Sequence, residues 1–379
     1  MTETKSATTL RPERIHPLTS LRFFAAFSVM LYHTFPLAFP EMRDSFLASV
    51  INLGFVSVSF FFLLSGYILA VVYLHSGVPI RKSSFYLSRF ARIYPLFLWT
   101  LIIDTPDILL RRVQLYGWAK ALTETIATFG AHLFMLQAWL SWLQGIDSPN
   151  WSLSVETVFY VAFPFIGYFF WKMKGARLWI WAIGLWVMGQ AVTTVIGPHF
   201  LLKTVRFHPL FHIWTFPIGI LLAKWRSTQL EKYGASPRRQ SSVWLALALS
   251  VLALGAVVTW GEPIPLANLN SGLLVPVFAI VIWACSSQHG LVTRVLSLPW
   301  LVVLGEASFG LYLIHMPLHH LFLWMHWETS KVLWPIYLAS AVGLSLLSFY
   351  FIEKPARQWI LKKFRTRSKE TMEVASSAQ

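Results

Sequence analysis

Residues 21–39 read LRFFAAFSVMLYHTFPLAF. The run is long and apolar enough to enter a bilayer as a helix. It nevertheless holds two ionisable side chains, Arg22 and His33. Such groups are costly in hydrocarbon, so inside a membrane span they point to function. Eleven residues separate them, just over three turns at about 3.6 residues per turn, so they share one face about 16 Å apart along the axis. A cation near one membrane surface thus stands in line with an imidazole well inside. Each residue alone has a plainer explanation. Arg22 can be a topology anchor that reaches back to the interface, and His33 a hydrogen-bonded packing residue.

The rest of the chain has the same character. Of 379 residues, 56% are hydrophobic and only 12% charged, against about 25% charged in soluble domains. Nineteen tryptophans and apolar blocks running nearly end to end leave no room for a sizeable soluble domain. A net charge of +15 would suggest nucleic acid in a soluble protein. Here the basic residues sit in short connections between apolar blocks, which is membrane topology rather than nucleic-acid binding. The single cysteine, Cys285, excludes an intrachain disulfide and any multi-cysteine metal site. No small-residue cleavage site follows the first apolar block, so that block reads as a retained span.

Eleven apolar blocks can be marked, near 19–39, 50–74, 93–110, 124–143, 152–171, 178–197, 209–225, 242–260, 271–287, 299–324 and 332–352. If 124–143 does not cross and both termini are cytoplasmic, most of the 31 Lys and Arg fall inside. Glu124, His132 and Gln137 also make a lipid-facing crossing of that block uncomfortable. The expectation is an all-α polytopic membrane bundle of about ten transmembrane helices plus one re-entrant or interfacial segment. A cytoplasmic tail spans 1–17, the membrane domain 18–358, and a polar, disordered cytoplasmic tail 359–379.

Four further stretches carry possible chemistry. NLGFVSVSFFFLLSGYILA in the second block offers Ser57, Ser59, Ser65 and Gly66, small residues that let helices approach closely. RKSSFYLSRFARIYPLF places Arg89 and Arg92 three residues apart on one helical face. Two guanidiniums there suit phosphate groups, or they anchor the span against anionic lipid. SPNWSLSVETVFYVAFPF puts Ser152 and Glu156 at i, i+4, with the carboxylate opening an apolar span. Glu156 is either an acid/base partner for His33 or a helix-start carboxylate favoured by the dipole. GEASFGLYLIHMP sets Ser308, Tyr312 and His315 in one polar stripe, either an interhelical seam or support for catalysis. The other histidines show no persuasive ligand spacing, and no metal is expected.

Together these stretches resemble the acyltransferase 3 family of integral membrane acyltransferases. The likeness rests on Arg22-x10-His33, FFLLSG, SRFARIYP with Arg89 and Arg92, NWSLSVETVFY, and the late FGLYLIH. It extends from about residue 17 to about residue 355. One departure is visible: Ser57-Val58-Ser59 stands where members often carry Gly-Val-Asp. The resemblance implies an inner-membrane O-acyltransferase, usually an acetyltransferase, that uses cytoplasmic acyl-CoA (acetyl-CoA) as donor substrate with no permanently bound cofactor. It implies a carbohydrate or glycolipid hydroxyl as acceptor. Many members add a periplasmic SGNH-type esterase domain. Since this chain ends soon after its last span, it is expected to act alone or with a separate periplasmic transferase or polysaccharide-synthesis machinery.

On that reading His33 is the base and Glu156 orients or charge-balances it. Arg22, Arg89 and Arg92 hold the CoA phosphates, with Ser152, Tyr312 and His315 in support. The rival from another class is a transporter or flippase for a glycan or lipid, which ten spans and buried ionisable groups would also suit.

Overall fold

The computed structural model describes residues 15–364 apart from 76, 78, 144, 147, 234–238, 261–263, 287–289 and 327–330. Most of the N-terminal tail and residues 365–379 therefore lie outside the described residues, and so do the expectations made for them.

Among the described residues there is helix and no strand. The helices are α1 (His16–Ala38), α2 (Phe46–Asn52), α3 (Ser57–Tyr73), α4 (Lys82–Tyr116) and α5 (Trp118–Leu133). Then come α6 (Trp151–Trp171), α7 (Ala176–Ala191), α8 (Leu202–Phe207), α9 (Thr215–Tyr233) and α10 (Arg239–Trp260). Last are α11 (Leu266–Asn270), α12 (Val275–Ser286), α13 (Leu291–Leu296), α14 (Pro299–Trp324) and α15 (Leu333–Ser348). A π-helical stretch at Phe349–Glu353 carries the last helix onward. Among the described residues, eight helical stretches are long and apolar enough to cross a membrane. They are built on α1, α3, α4, α6, α7, α12, α14 and α15, as an all-α polytopic bundle requires. Large apolar side chains on α7, such as Ile180 and Ile183, face outward, where lipid replaces water as the solvent.

The helices alternate in direction. At one end of the bundle, Ser20 near the start of α1 donates to Leu296 O before α14 (2.5 Å). At the other, Trp334 Nε1 at the start of α15 reaches Thr34 Oγ1 on α1 (3.3 Å). So α1 and α14 run in parallel and α15 returns. Their contact is intimate: a Cβ at Gly305 would lie 2.0 Å from Thr19 O. α3 and α9 cross just as closely, since a Cβ at Gly66 would meet Phe216 O at 2.0 Å and one at Gly219 would meet Leu63 O at 2.1 Å. Small residues at such crossings let backbones touch and gain dispersion contacts where lipid offers no hydrophobic drive.

The segment read as not crossing folds back on itself. α4 starts beside Phe163 of α6 (Phe85, ring centroids 5.3 Å) and reaches His320 of α14 at Asp104 (2.7 Å). α6 starts beside Tyr312 of α14 (Ser152, 2.8 Å) and returns to Phe85. The chain therefore leaves one end of the bundle after α4 and rejoins that same end at the start of α6. The polar residues of this block make the turn: His132 places Nδ1 2.7 Å from Thr128 O and Nε2 3.0 Å from Ile146 O and donates to one of them, and Gln137 donates to Asn150 O (2.7 Å). These side chains satisfy irregular backbone that lipid could not.

Candidate active site

α1 carries Arg22 and His33 on one face, and that face runs between two different environments. Around Arg22 lies a cavity of about 140 Å³. It is lined by Arg22 from α1, Ser65 from α3, Arg89 and Arg92 from α4, Ser152, Glu156 and Tyr160 from α6, and Tyr312 from α14. The i, i+3 spacing of Arg89 and Arg92 thus places both on the same wall.

The guanidiniums are uncompensated at close range. Among the described residues no carboxylate comes within ion-pair distance of Arg22, Arg89 or Arg92. Arg89 Nε is buried without a hydrogen-bond partner, and its guanidinium faces the rings of Tyr73, Phe85 and Tyr160 at 5.7–5.9 Å. Glu156 and Glu353 act on Arg22 only through space. Three clustered cations without paired anions form a site that an anionic ligand would complete.

Glu156 is placed differently from the expectation. It accepts hydrogen bonds from Ser65 Oγ (2.8 Å) and from Tyr160 OH. His33 is not among its partners, so the proposed direct His33–Glu156 pair does not form. The reason is helix direction. α6 runs opposite to α1, so the step from Ser152 to Glu156 leads away from His33 and toward Arg22. Ser152 is the residue left nearer His33. Ser152 Oγ, Tyr312 OH and Pro149 O form a triangle (2.8, 2.9 and 3.1 Å) in which one hydroxyl donates to the other and that second hydroxyl donates to Pro149 O.

His33 meets His315 instead. Nδ1 of His33 and Nε2 of His315 are 3.1 Å apart, with the rings stacked at 5.3 Å. His315 is fully buried. Tyr312, which lines the far end of the cavity, packs its ring 6.0 Å from that of His315. The cavity therefore ends one helical turn from the imidazole pair.

A profile described as Acyltransferase domain matches residues 16–353 of the chain. The chain belongs to this family of acyltransferases. It is 28% identical to Nodulation protein 10 of Rhizobium leguminosarum bv. viciae, over 89% of this chain and 91% of that protein. It is 31% identical to Acyltransferase MdmB of Streptomyces mycarofaciens, over 80% of this chain and 79% of that one. It is also 22% identical to the O-acetyltransferase OatA of Staphylococcus aureus MRSA252 over 96% of this chain, which corresponds to 60% of OatA's length. No solved structure matches the chain.

For this multi-pass membrane acyltransferase, sequence reasoning missed four polar neighbours of the site. In the sequence Ser65 reads as a packing residue like Ser57 and Ser59, and those two bond Ser28 Oγ (2.7 Å) and Asn270 O (3.0 Å). Tyr160 lies four residues after Glu156, a spacing that could have revealed it. Glu353 is recruited from the last helix, and Arg206 of α8 donates to Tyr32 OH (3.0 Å) beside His33. Their partners are distant in sequence, and no local pattern announces them.

A second polar cluster holds α4 against α14. Asp104, Asp107 and His320 each bring one ligand atom within 4.8 Å of the others. Yet Asp104 is bound to His320 Nδ1 (2.7 Å), and Asp107 accepts from Arg111 Nε (2.7 Å) and Trp324 Nε1 (2.6 Å). With a guanidinium already on the carboxylate, the cluster is an interhelical pin.

Proposed function

We propose that this protein is an O-acyltransferase, an O-acetyltransferase in the first instance, taking its acyl group from acyl-CoA on the cytoplasmic side. The acceptor is a hydroxyl of an exported or cell-envelope carbohydrate. The observation that carries the donor half is the set of three guanidiniums on one cavity without an ion-pair partner among the described residues. CoA brings a diphosphate and a 3′-phosphate, and Arg forks suit both. Its pantetheine arm is long and thin. It would thread from the arginines past Glu156 toward Tyr312 and carry the thioester to the imidazole pair.

His33 is then the base that removes the acceptor's proton as its oxygen attacks the thioester carbonyl. Arg206 stands close enough to His33 to act on it electrostatically and would favour the negative charge developing on that carbonyl. Glu156, tied to Ser65 and Tyr160, balances the arginines rather than serving His33. Ser152 and Tyr312 form the threshold between cavity and base. The relatives' names support the reaction class, since OatA is named an O-acetyltransferase. With the arginine end cytoplasmic, both termini are cytoplasmic and the protein sits in a bacterial inner membrane.

The test uses purified protein with labelled acetyl-CoA and cell-envelope glycan. Label should pass to the glycan with release of free CoA. A transporter or flippase would release none, and that result would reject the reading. Comparing the glycan mass of a deletion strain with that of its parent would name the acceptor through a missing acetyl.

A further inference from the structure

We infer that His315 is a positioning residue that fixes the tautomer of His33, leaving Nε2 of His33 as the one basic nitrogen of the reaction. The chain of contacts leads there step by step. His315 Nδ1 lies 3.2 Å from Leu311 O. A backbone carbonyl only accepts, so His315 carries its proton on Nδ1 and donates to Leu311. A neutral His315 then has a lone pair on Nε2, which faces His33 Nδ1 at 3.1 Å. His33 must therefore carry its own proton on Nδ1 and donate it. Its Nε2 is left bare.

The opposite arrangement needs His315 protonated on both nitrogens. That would place an imidazolium at a fully buried position, with no carboxylate hydrogen-bonded to it. An unpaired buried charge of this kind is strongly disfavoured. The local structure also holds His315 still. It lies on the parallel α1–α14 contact, and Tyr337 of α15 donates to its backbone carbonyl (2.8 Å). The other titratable or charged groups around the pair are Arg206 from α8 with Tyr32 beside it, Tyr337, Tyr312, and His319 one turn further along α14.

This assigns the steps. The acceptor hydroxyl gives its proton to His33 Nε2 while its oxygen bonds the acyl carbon. The carbon–sulfur bond breaks, and the imidazolium returns the proton to the departing CoA thiolate. Throughout, His33 Nδ1–H stays bonded to His315 Nε2, which shares the transient positive charge. The role is that of the third member of a nucleophile–base–orienter set, filled here by a neutral imidazole. The inference rests on His33 being the base.

Two measurements test it. In the first, full-length protein in detergent carries His315→Leu, which removes the acceptor, or His315→Gln, whose amide oxygen can still accept from His33. Leu should lower kcat by roughly a hundredfold or more, within the range for a misdirected general base. The KM for acetyl-CoA should stay within about twofold because the arginine cavity is untouched. Gln should restore kcat to within about tenfold of the native value. Equal losses in folded Leu and Gln variants, or a loss that appears in KM, would overturn the assignment. In the second, 15N-histidine NMR of the native protein should show His33 protonated at Nδ1 and bare at Nε2, with the signal identified by its absence in His33→Gln. The reverse tautomer overturns the inference whether or not the Leu variant folds. A confirmed tautomer with full activity in His33→Ala would instead fault the base assignment on which the inference rests.

Discussion

The two ends of the Arg22–His33 face follow opposite rules. At the arginine end, cations line an open cavity and lack ion-pair partners. At the histidine end, Leu311 O, His315 and His33 are bonded in series and packed, with Tyr337 locking the backbone behind them. On the proposed function, the end without ion-pair partners is completed by an anionic donor. An end completed internally is preorganised, so its groups need not rearrange during reaction. On the proposed function one helix joins a donor-binding site to a reaction site, with the Ser152–Tyr312 hydroxyl pair between them.

The sharpest way to break this comparison is to change both ends at once. Gly305→Val inserts side-chain atoms against Thr19 O, where even a Cβ would sit at 2.0 Å. Backbone cannot yield as a flexible side chain does, so α14 should shift on α1. Folded yield and activity should both fall to near zero, read by size-exclusion profile and acetyl transfer. Next is His33→Ala, which should cut transfer by roughly 10²–10⁴-fold, the usual contribution of a general base. Folded yield and acetyl-CoA affinity should be retained. Near-normal turnover would erase the distinction between the two ends.

The arginine end should answer in the other parameter. Arg89→Ala or Arg92→Ala should raise the KM for acetyl-CoA by about ten- to a hundredfold, from a loss of about 1.5–3 kcal/mol per charged hydrogen bond. Changes in acceptor KM should be smaller, and the opposite ranking would count against a phosphate site. Glu156→Gln should act like a member of the arginine end, shifting acetyl-CoA KM more than kcat. A selective fall in kcat would tie it to His33 after all. The smallest effect belongs to Lys331→Ala. Its exposed bond holds the Glu41 carboxyl below the usual carboxylate range, a contribution present above that range and lost as pH falls. The pair is solvent-screened, so melting temperature and turnover should stay unchanged.

Much of this arrangement was legible in the residues. The length and apolarity of the blocks announced the membrane bundle. The polar groups of 124–143 announced a segment that turns back, and they are the atoms that satisfy its backbone. The eleven-residue spacing set Arg22 and His33 on one face, and the three-residue spacing set Arg89 and Arg92 on one wall. Those inferences rest on helix periodicity, which is local. Glu156 shows the limit. Its spacing from Ser152 was right, but its depth along α6 was not readable, and the carboxylate faces the arginines.

By itself, the sequence determined the solvent of each segment, the phase of each helix face and the chemical types available. Those follow from composition and a fixed turn of the backbone. Only the tertiary structure decided which faces meet: Glu156 with Ser65 and Tyr160, and His33 with His315 across 282 positions of chain. Such pairings depend on helix direction and on close crossings at Gly305, Gly66 and Gly219. Neither is encoded within reach of a single helical turn.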